Sequence, residues 1–227
     1  ATTGGATRFL SQPKLDGSAL SIEYRMGRLV RAATRGSGER GEDVTRNARK
    51  VTNIPDRLPL PVDVHVRGEV VMPLDVFEAK YRDVSPNPRN LAAGALRQKY
   101  DDGKADAADL VFQAYDAQLP SGEDRHPDSQ AAPRGLNDTE LLVWLEQDLG
   151  IQPAPWVLHE ASSPADTAHL MSMHTAEWAK KRSTYSYEID GVVFKLDHLA
   201  QRERLGMTAH HPRWALAWKF PPEEATS

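Results

Sequence analysis

The segment Lys14-Leu15-Asp16-Gly17 places an amine beside a carboxylate, at a glycine that allows the chain to turn tightly. If this segment is a strand, its two-residue period puts Gln12, Lys14 and Asp16 on one face and Leu15 on the other. A lysine attacks only as the neutral amine, so a nucleophile here needs burial or nearby cations that favour loss of the proton. Taken alone, the four residues fit a solvated surface turn better than a reactive site.

Five further clusters of glycine, charged and aromatic residues follow the first one along the chain, and together they reverse that preference. They are Thr34-Arg35-Gly36 with Gly41-Glu42-Asp43, Arg67-Gly68-Glu69, residues 87–98 (NPRNLAAGALRQ), Asp190–Lys195 (DGVVFK) and Arg213–Pro221 (RWALAWKFP). In DGVVFK, a carboxylate and a lysine flank the apolar residues of a buried strand. Charges so close to a core strand are either paired or functional.

The last cluster alternates between bulky and small side chains, which predicts a strand with two different faces. One face carries Trp214, Leu216, Trp218 and Phe220. On the other face Lys219 stands among Ala215 and Ala217, which leave room for a nucleotide. The alternative is an edge lysine whose stem lies along apolar surface.

In this order the clusters resemble the motifs of the nucleotidyltransferase (adenylation) domain of bacterial NAD-dependent DNA ligases, with Gln-Pro-Lys as a variant of the nucleophile motif. The resemblance runs from about Phe9 to Glu224, which leaves residues 1–8 and 225–227 as tails. It implies the nucleotidyltransferase fold of the DNA ligase and capping-enzyme superfamily, in which antiparallel sheets flanked by helices enclose a nucleotide cleft.

The resemblance also implies roles for the matched residues. Lys14 would be the nucleophile that becomes attached to AMP, and Asp16, Lys195 and Lys219 would act with it in catalysis. Glu69 would hold the ribose and Tyr115 would stack on adenine, although Tyr115 equally fits a core tyrosine at a strand end. The expected nucleotide contacts are Gln12, Leu15, Arg35, Glu69, Tyr115, Lys195 and Lys219; the expected ligands of Mg²⁺ or Mn²⁺ are Asp190 and Glu69; and the expected DNA contacts are Arg89, Arg97 and Arg182.

The implied reaction has three phosphoryl transfers: AMP passes from NAD to Lys14, then to the 5′-phosphate of a nick in double-stranded DNA, and leaves when the 3′-hydroxyl attacks. ATP-dependent ligases and capping enzymes, the closest alternative, usually have arginine where this chain has Ala19, which favours NAD as the donor. Two departures concern nucleotide affinity: Gln12 replaces the usual glutamate, and Ser37 replaces the usual aspartate. A retired nucleotide- or nucleic-acid-binding module is therefore the second alternative.

Composition sets broader limits on the protein. The net charge is −4, so contacts to phosphates must come from local arginine and lysine clusters. There is no cysteine, which excludes disulfides and thiolate zinc sites and fits a reducing compartment. No apolar run suits a membrane helix. We expect a cytoplasmic protein, and we expect it to be a monomer. The resemblance also leads us to expect partner modules outside this sequence, one binding the nicotinamide mononucleotide half of NAD and others binding DNA, and hence slow adenylation from NAD.

The order of predicted elements indicates an α+β fold with largely antiparallel sheets. Residues 18–34 form a hairpin that turns at Met26-Gly27, and residues 62–72, 110–115, 188–196 and 213–220 form strands. Helices are predicted at 42–50, 74–82, 91–99, 138–149 and 164–182, with a short one between the last two strands. Residues 87–90 (NPRN) open the helix at 91–99, with Pro88 at an early position that suits it. Residues 118–137 are rich in Pro, Ser, Asp and Gly, which predicts an exposed connection.

Overall fold

A computed structural model describes residues 6–34, 41–130, 137–208 and 212–221. The strands in these ranges are β1 (Thr7–Leu15), β2 (Ser18–Arg25), β3 (Arg28–Thr34), β4 (Val64–Val71), β5 (Val111–Gln118), β6 (Val157–Ala161), β7 (Ile189–Leu196) and β8 (Ala215–Lys219). They form two four-stranded antiparallel sheets, in the orders β6-β1-β7-β8 and β3-β2-β4-β5. The helices are α1 (Thr45–Ala48), α2 (Leu74–Lys80), α3 (Pro88–Arg97), α4 (Asp138–Gln147), α5 (Pro164–Lys181) and α6 (Leu199–Leu205). The predicted α+β class is confirmed.

The predicted hairpin is β2 and β3, joined at Met26 and Gly27. Both turn residues have positive φ, 48° and 72°, which matches the twist of the flanking strands in a two-residue hairpin. Leu20, Ile22 and Tyr24 alternate into the main core. That core lies between the β3-β2-β4-β5 sheet and helices α1, α3 and α4.

Helix α3 begins within the predicted opening segment 87–90, where Asn87 caps it. The Asn87 side chain accepts a hydrogen bond from the Asn90 backbone N–H at 3.2 Å, and Pro88 occupies the first turn, where its missing N–H costs nothing. The helix predicted at 42–50 is confined to α1. Its first residues are instead held along β3, where Thr34 N–H donates to the Glu42 carbonyl and Asp43 bridges Ala33.

Other elements also differ from the prediction in existence or extent. The edge strand β6 was not predicted, and it is a short strand that places only His159 and Ala161 in the interior. β1 begins at Thr7, inside the stretch assigned to the N-terminal tail, and β5 continues to Gln118. After β5, residues 119–130 are mostly exposed, as expected. Ser129 is the exception, because it is buried and its hydroxyl accepts from the Asp63 N–H. Residues 131–136 and 222–227 lie outside the described ranges.

The two sheets meet where β1 passes into β2. Leu15 packs there with Val71, Ala154 and Ile189. On the far side of the first sheet, α5 covers an apolar cluster that includes Phe9, and Phe220 packs at its margin. The bulky face predicted for the last strand is therefore only partly packed: Leu216 and Trp218 on β8 are about half exposed.

Candidate active site between the two sheets

Lys14 lies near the end of β1, with its amine held by a carboxylate from the neighbouring strand. Its Nζ donates to both Asp190 oxygens, at 2.8 and 3.0 Å. β7 brings Asp190 there because Lys14 opposes Gly191, and the register shifts immediately afterwards. Two predicted site residues separated by most of the chain are thus in direct contact. The two short contacts fix the direction in which the Lys14 amine points.

Gly191 separates two lysines on one face of the first sheet. It opposes Lys14 on β1 and Lys219 on β8, and residues directly opposite one another share a face. A Cβ at Gly191 would lie 2.1 Å from the Trp218 carbonyl oxygen, so only glycine fits. The absence of a side chain at Gly191 leaves the space between the two lysines open.

Asp16 and Glu69 complete the group around Lys14. The strand ends at Leu15, so Asp16 is placed by the turn and not by strand alternation; its carboxylate accepts from Arg89 Nη1 at 3.0 Å. Burial raises the pKa of Glu69 to about 7, against the opposing effects of the Gly17 N–H and the charges of Lys14 and Arg89. The carboxyl at the predicted ribose site is therefore poorly solvated and short of hydrogen-bond donors.

Gln12, one strand period before Lys14, is buried with its amide group in a fixed orientation. Nε2 donates to the Ala154 carbonyl at 3.2 Å, which leaves Oε1 as an acceptor. Leu15, also predicted to contact the nucleotide, has its side chain in the apolar cluster with Val71 and Ile189. Any nucleotide contact from Leu15 would therefore come from its backbone.

Lys195 is buried in an ion-pair network that sequence reasoning missed. Its Nζ donates to the Tyr115 carbonyl at 2.5 Å and lies 2.9 Å from Asp138 Oδ2, which is 2.7 Å from Arg202 Nη2. Burial lowers the pKa of Lys195, partly offset by Asp138. Burial likewise raises the pKa of the neighbouring Asp116 carboxyl. Asp138 opens a predicted helix, but no local signal indicated that it would meet a lysine more than fifty residues away.

Tyr115 occupies an irregularity of β5. Arg67 opposes Asp116 while Gly68 opposes Ala114, so Tyr115 is the extra residue of a bulge. Bulges often re-aim a side chain next to functional sites. Tyr115 is half-buried and its carbonyl holds Lys195, so these two predicted nucleotide contacts are brought together.

Comparisons with known proteins give this geometry its context. Residues 2–223 match the family model described as the NAD-dependent DNA ligase adenylation domain. The chain belongs to this family. It is 39% identical over 227 residues to the DNA ligase of Natranaerobius thermophilus, and 40% identical over 230 residues to that of Shouchella clausii, covering 96% and 97% of this chain.

The adenylation domain described here spans about a third of the length of those relatives, 32% and 31%. A solved structure, Pmar-Lig_Pre, shares its fold with a TM-score of 0.50, although only 17% of the residues are identical. That match covers 94% of this chain and 42% of the other. The predicted family and nucleotidyltransferase fold are both confirmed.

The arginines predicted to contact the nucleotide or DNA have different surroundings. Arg89 belongs to the Lys14 group through Asp16. Arg97 is exposed and lies 3.7 Å from a Glu42 oxygen, and Arg182 lies 5.8 Å from the centre of the Phe220 ring. Arg35 and Ser37 lie outside the described residues. Contact with DNA stays a prediction for all the arginines to which it was assigned.

The expected metal ligands fit a divalent cation only in part. Within the described ranges, no three His, Asp or Glu side chains are grouped to hold a metal ion. Both oxygens of Asp190 are engaged by the Lys14 amine. Mg²⁺ keeps several waters and binds substrate phosphates, so it needs few protein ligands, and the assignment of Asp190 and Glu69 to it stays a prediction. No helix in the described part of the chain has the length and apolar character needed to cross a membrane.

Proposed function

We propose that Lys14 carries AMP in an NAD-dependent DNA ligase reaction, and that the cleft between the two sheets binds the adenylate. The observation that carries the proposal is the group around Lys14. Asp190 holds the amine at 2.8 Å, Lys219 shares its face across Gly191, and Glu69 lies close enough for the Lys14 charge to affect its pKa. A nucleophile, a partner for its proton and cations for phosphoryl oxygens are what such a transfer requires.

In the first step, Lys14 Nζ attacks the α-phosphorus of NAD. A P–N bond forms, the pyrophosphate P–O bond breaks, and nicotinamide mononucleotide leaves with the bonding electrons. Asp190 orients the amine and is the contacting group that can accept its proton. Lys219 and Arg89 supply positive charge toward the phosphoryl oxygens. When bound with the nucleotide, Mg²⁺ would further neutralise charge on the phosphates.

In the second step, an oxygen of the 5′-phosphate at a DNA nick attacks the same phosphorus and releases Lys14, which regains a proton. In the third step, the 3′-hydroxyl attacks the 5′-phosphorus, the backbone bond forms and AMP leaves. Gln12 Oε1 would accept from the adenine amino group, and Tyr115 would stack on the ring. Lys195, which is paired with Asp138, would also contact the adenylate.

Sealing of two nicked DNA substrates tests the proposal, one with a plain 5′-phosphate and one already adenylated. The wild-type chain should seal the adenylated nick, and Lys14→Ala should retain that sealing because the lysine is no longer the nucleophile. With NAD, the plain nick should be sealed slowly by the wild type and not at all by Lys14→Ala. Failure of the wild type on both substrates would favour a retired binding module.

NAD and ATP are compared as donors in the same assay. Stimulation by ATP but not NAD would contradict the proposed donor. Slow uptake from NAD with good sealing of the adenylated nick is expected if the nicotinamide half is bound outside these 227 residues. Efficient uptake would show that the cleft itself is sufficient.

A further inference from the structure

The side chain of Gln113 on β5 is buried with an unpartnered oxygen. Gln113 is 1% exposed, and its Oε1 has no hydrogen-bond partner among the described residues. Buried side-chain amides in folded proteins nearly always have partners, and an unsatisfied acceptor is costly. Gln113 Oε1 therefore calls for a partner that the described part of the chain does not supply.

The sheet register places Gln113 beside the predicted ribose site. Gln113 opposes Glu69, which opposes Ala19 on the next strand, so the three residues form one row across the sheet. Glu69 is on the side of the cleft, because Val66 and Val70 on the same strand point into the main core and side chains alternate along β4. Gln113 shares that face, next to Glu69 and two residues before Tyr115.

The residues on either side of Gln113 confirm its direction. Phe112 points to the opposite face, where its ring would lie 2.5 Å from a Cβ added at Gly68, and it is part of the main core. Because side chains alternate along a strand, Gln113 points away from that core and toward the first sheet. The unpartnered amide oxygen thus belongs to the cleft and not to the core.

We propose that Gln113 binds the ribose of the adenylate, accepting a hydrogen bond from one ribose hydroxyl while Glu69 accepts from the other. The inference rests on the proposed function, since it requires an adenylate in this cleft. Opposed side chains have Cβ atoms about 5 Å apart, so the two acceptors can converge on adjacent hydroxyls. A ribose diol supplies two donors, which is what a desolvated carboxylate and an unpartnered amide oxygen lack.

The experiment measures binding of AMP, 2′-deoxy-AMP and 3′-deoxy-AMP to the 227-residue chain by calorimetry. The test variant is Gln113→Met, which has similar volume and no acceptor. The matched control is Gln118→Met, at the exposed end of the same strand. Thermal unfolding of each variant is recorded without nucleotide.

Gln113→Met should weaken AMP binding about 3- to 10-fold, the effect of one hydrogen bond. It should leave the affinity for one of the two deoxy analogues unchanged, because that analogue lacks the hydroxyl bound by Gln113. Its unfolding temperature should match or exceed that of the wild type, because the orphaned acceptor is gone. Gln118→Met should bind all three nucleotides as the wild type does.

Equal affinity of wild type and Gln113→Met for AMP would overturn the inference, as would equal weakening for all three nucleotides. A fall in unfolding temperature would assign Gln113 a structural role and also contradict it. These outcomes are separate from failure of the proposed function, in which the wild type itself would bind no AMP.

Discussion

The wild-type protein should lose stability as the pH rises, because Glu69 then ionises in a poorly solvated position. Glu69→Gln should abolish this loss. Burial raises the pKa of Glu69 from 4.5 to about 7, so the folded protein holds this proton more tightly than the unfolded chain does. The resulting stability is fully present below about pH 4.5 and is lost as the pH rises through about 7. Each pH unit is worth about 1.4 kcal/mol, which sets an upper limit of roughly 3 kcal/mol. Since Glu69 is only half-buried and water screens its charge, we expect about 1–2 kcal/mol.

The assay is urea unfolding of wild type and Glu69→Gln, without nucleotide, between about pH 5 and about pH 8. The free energy of unfolding of the wild type minus that of the variant should fall by the expected amount across this range. Glu78→Gln, on the exposed face of α2, controls for loss of one carboxylate. A difference that is constant or rises with pH would refute the reasoning. It would mean that Lys14 and Arg89 hold Glu69 as a carboxylate throughout.

Two further predictions concern stability. Asp138→Ala should lower the free energy of unfolding by about 3–5 kcal/mol, because Lys195 and Arg202 would be left buried without their partner; a loss below about 1 kcal/mol by urea unfolding would show that the network contributes little. Gly191→Ala should lower the free energy of unfolding by about 1–3 kcal/mol, because the added Cβ would strike the neighbouring strand. Gly94→Ala should raise it by about 0.5–1 kcal/mol, because Gly94 lies in the interior of α3 and an added Cβ would meet nothing within 4 Å. Equal effects of the two glycine substitutions would contradict the packing argument.

Local features were predictable from the sequence because their causes are local. The Met26-Gly27 turn, the proline at the start of α3 and the alternation in β2 and β4 each depend on neighbouring residues. The motif residues Lys14 and Asp190 were identified separately, and the antiparallel pairing of β1 and β7 brings them together.

What could not be predicted depends on contacts distant in sequence. Asp138 reads as an ordinary first residue of a helix, and only the packing of α4 and α6 beside β7 makes it the partner of Lys195. Gln113 reads as a polar interruption of an apolar strand, and the lack of a described partner for its Oε1 is visible only in three dimensions. Residues 42 and 43 have a helical pattern that their pairing with β3 overrides.

The central claim, that Lys14 carries AMP, is tested most directly by weighing the intact protein after prolonged incubation with NAD and Mg²⁺ and then mapping the modified peptide. We predict a gain of one AMP on the peptide that contains Lys14, sensitive to acid as expected for a P–N bond, and no gain in Lys14→Ala. An AMP adduct on another residue, or an adduct that persists in Lys14→Ala, would contradict the account.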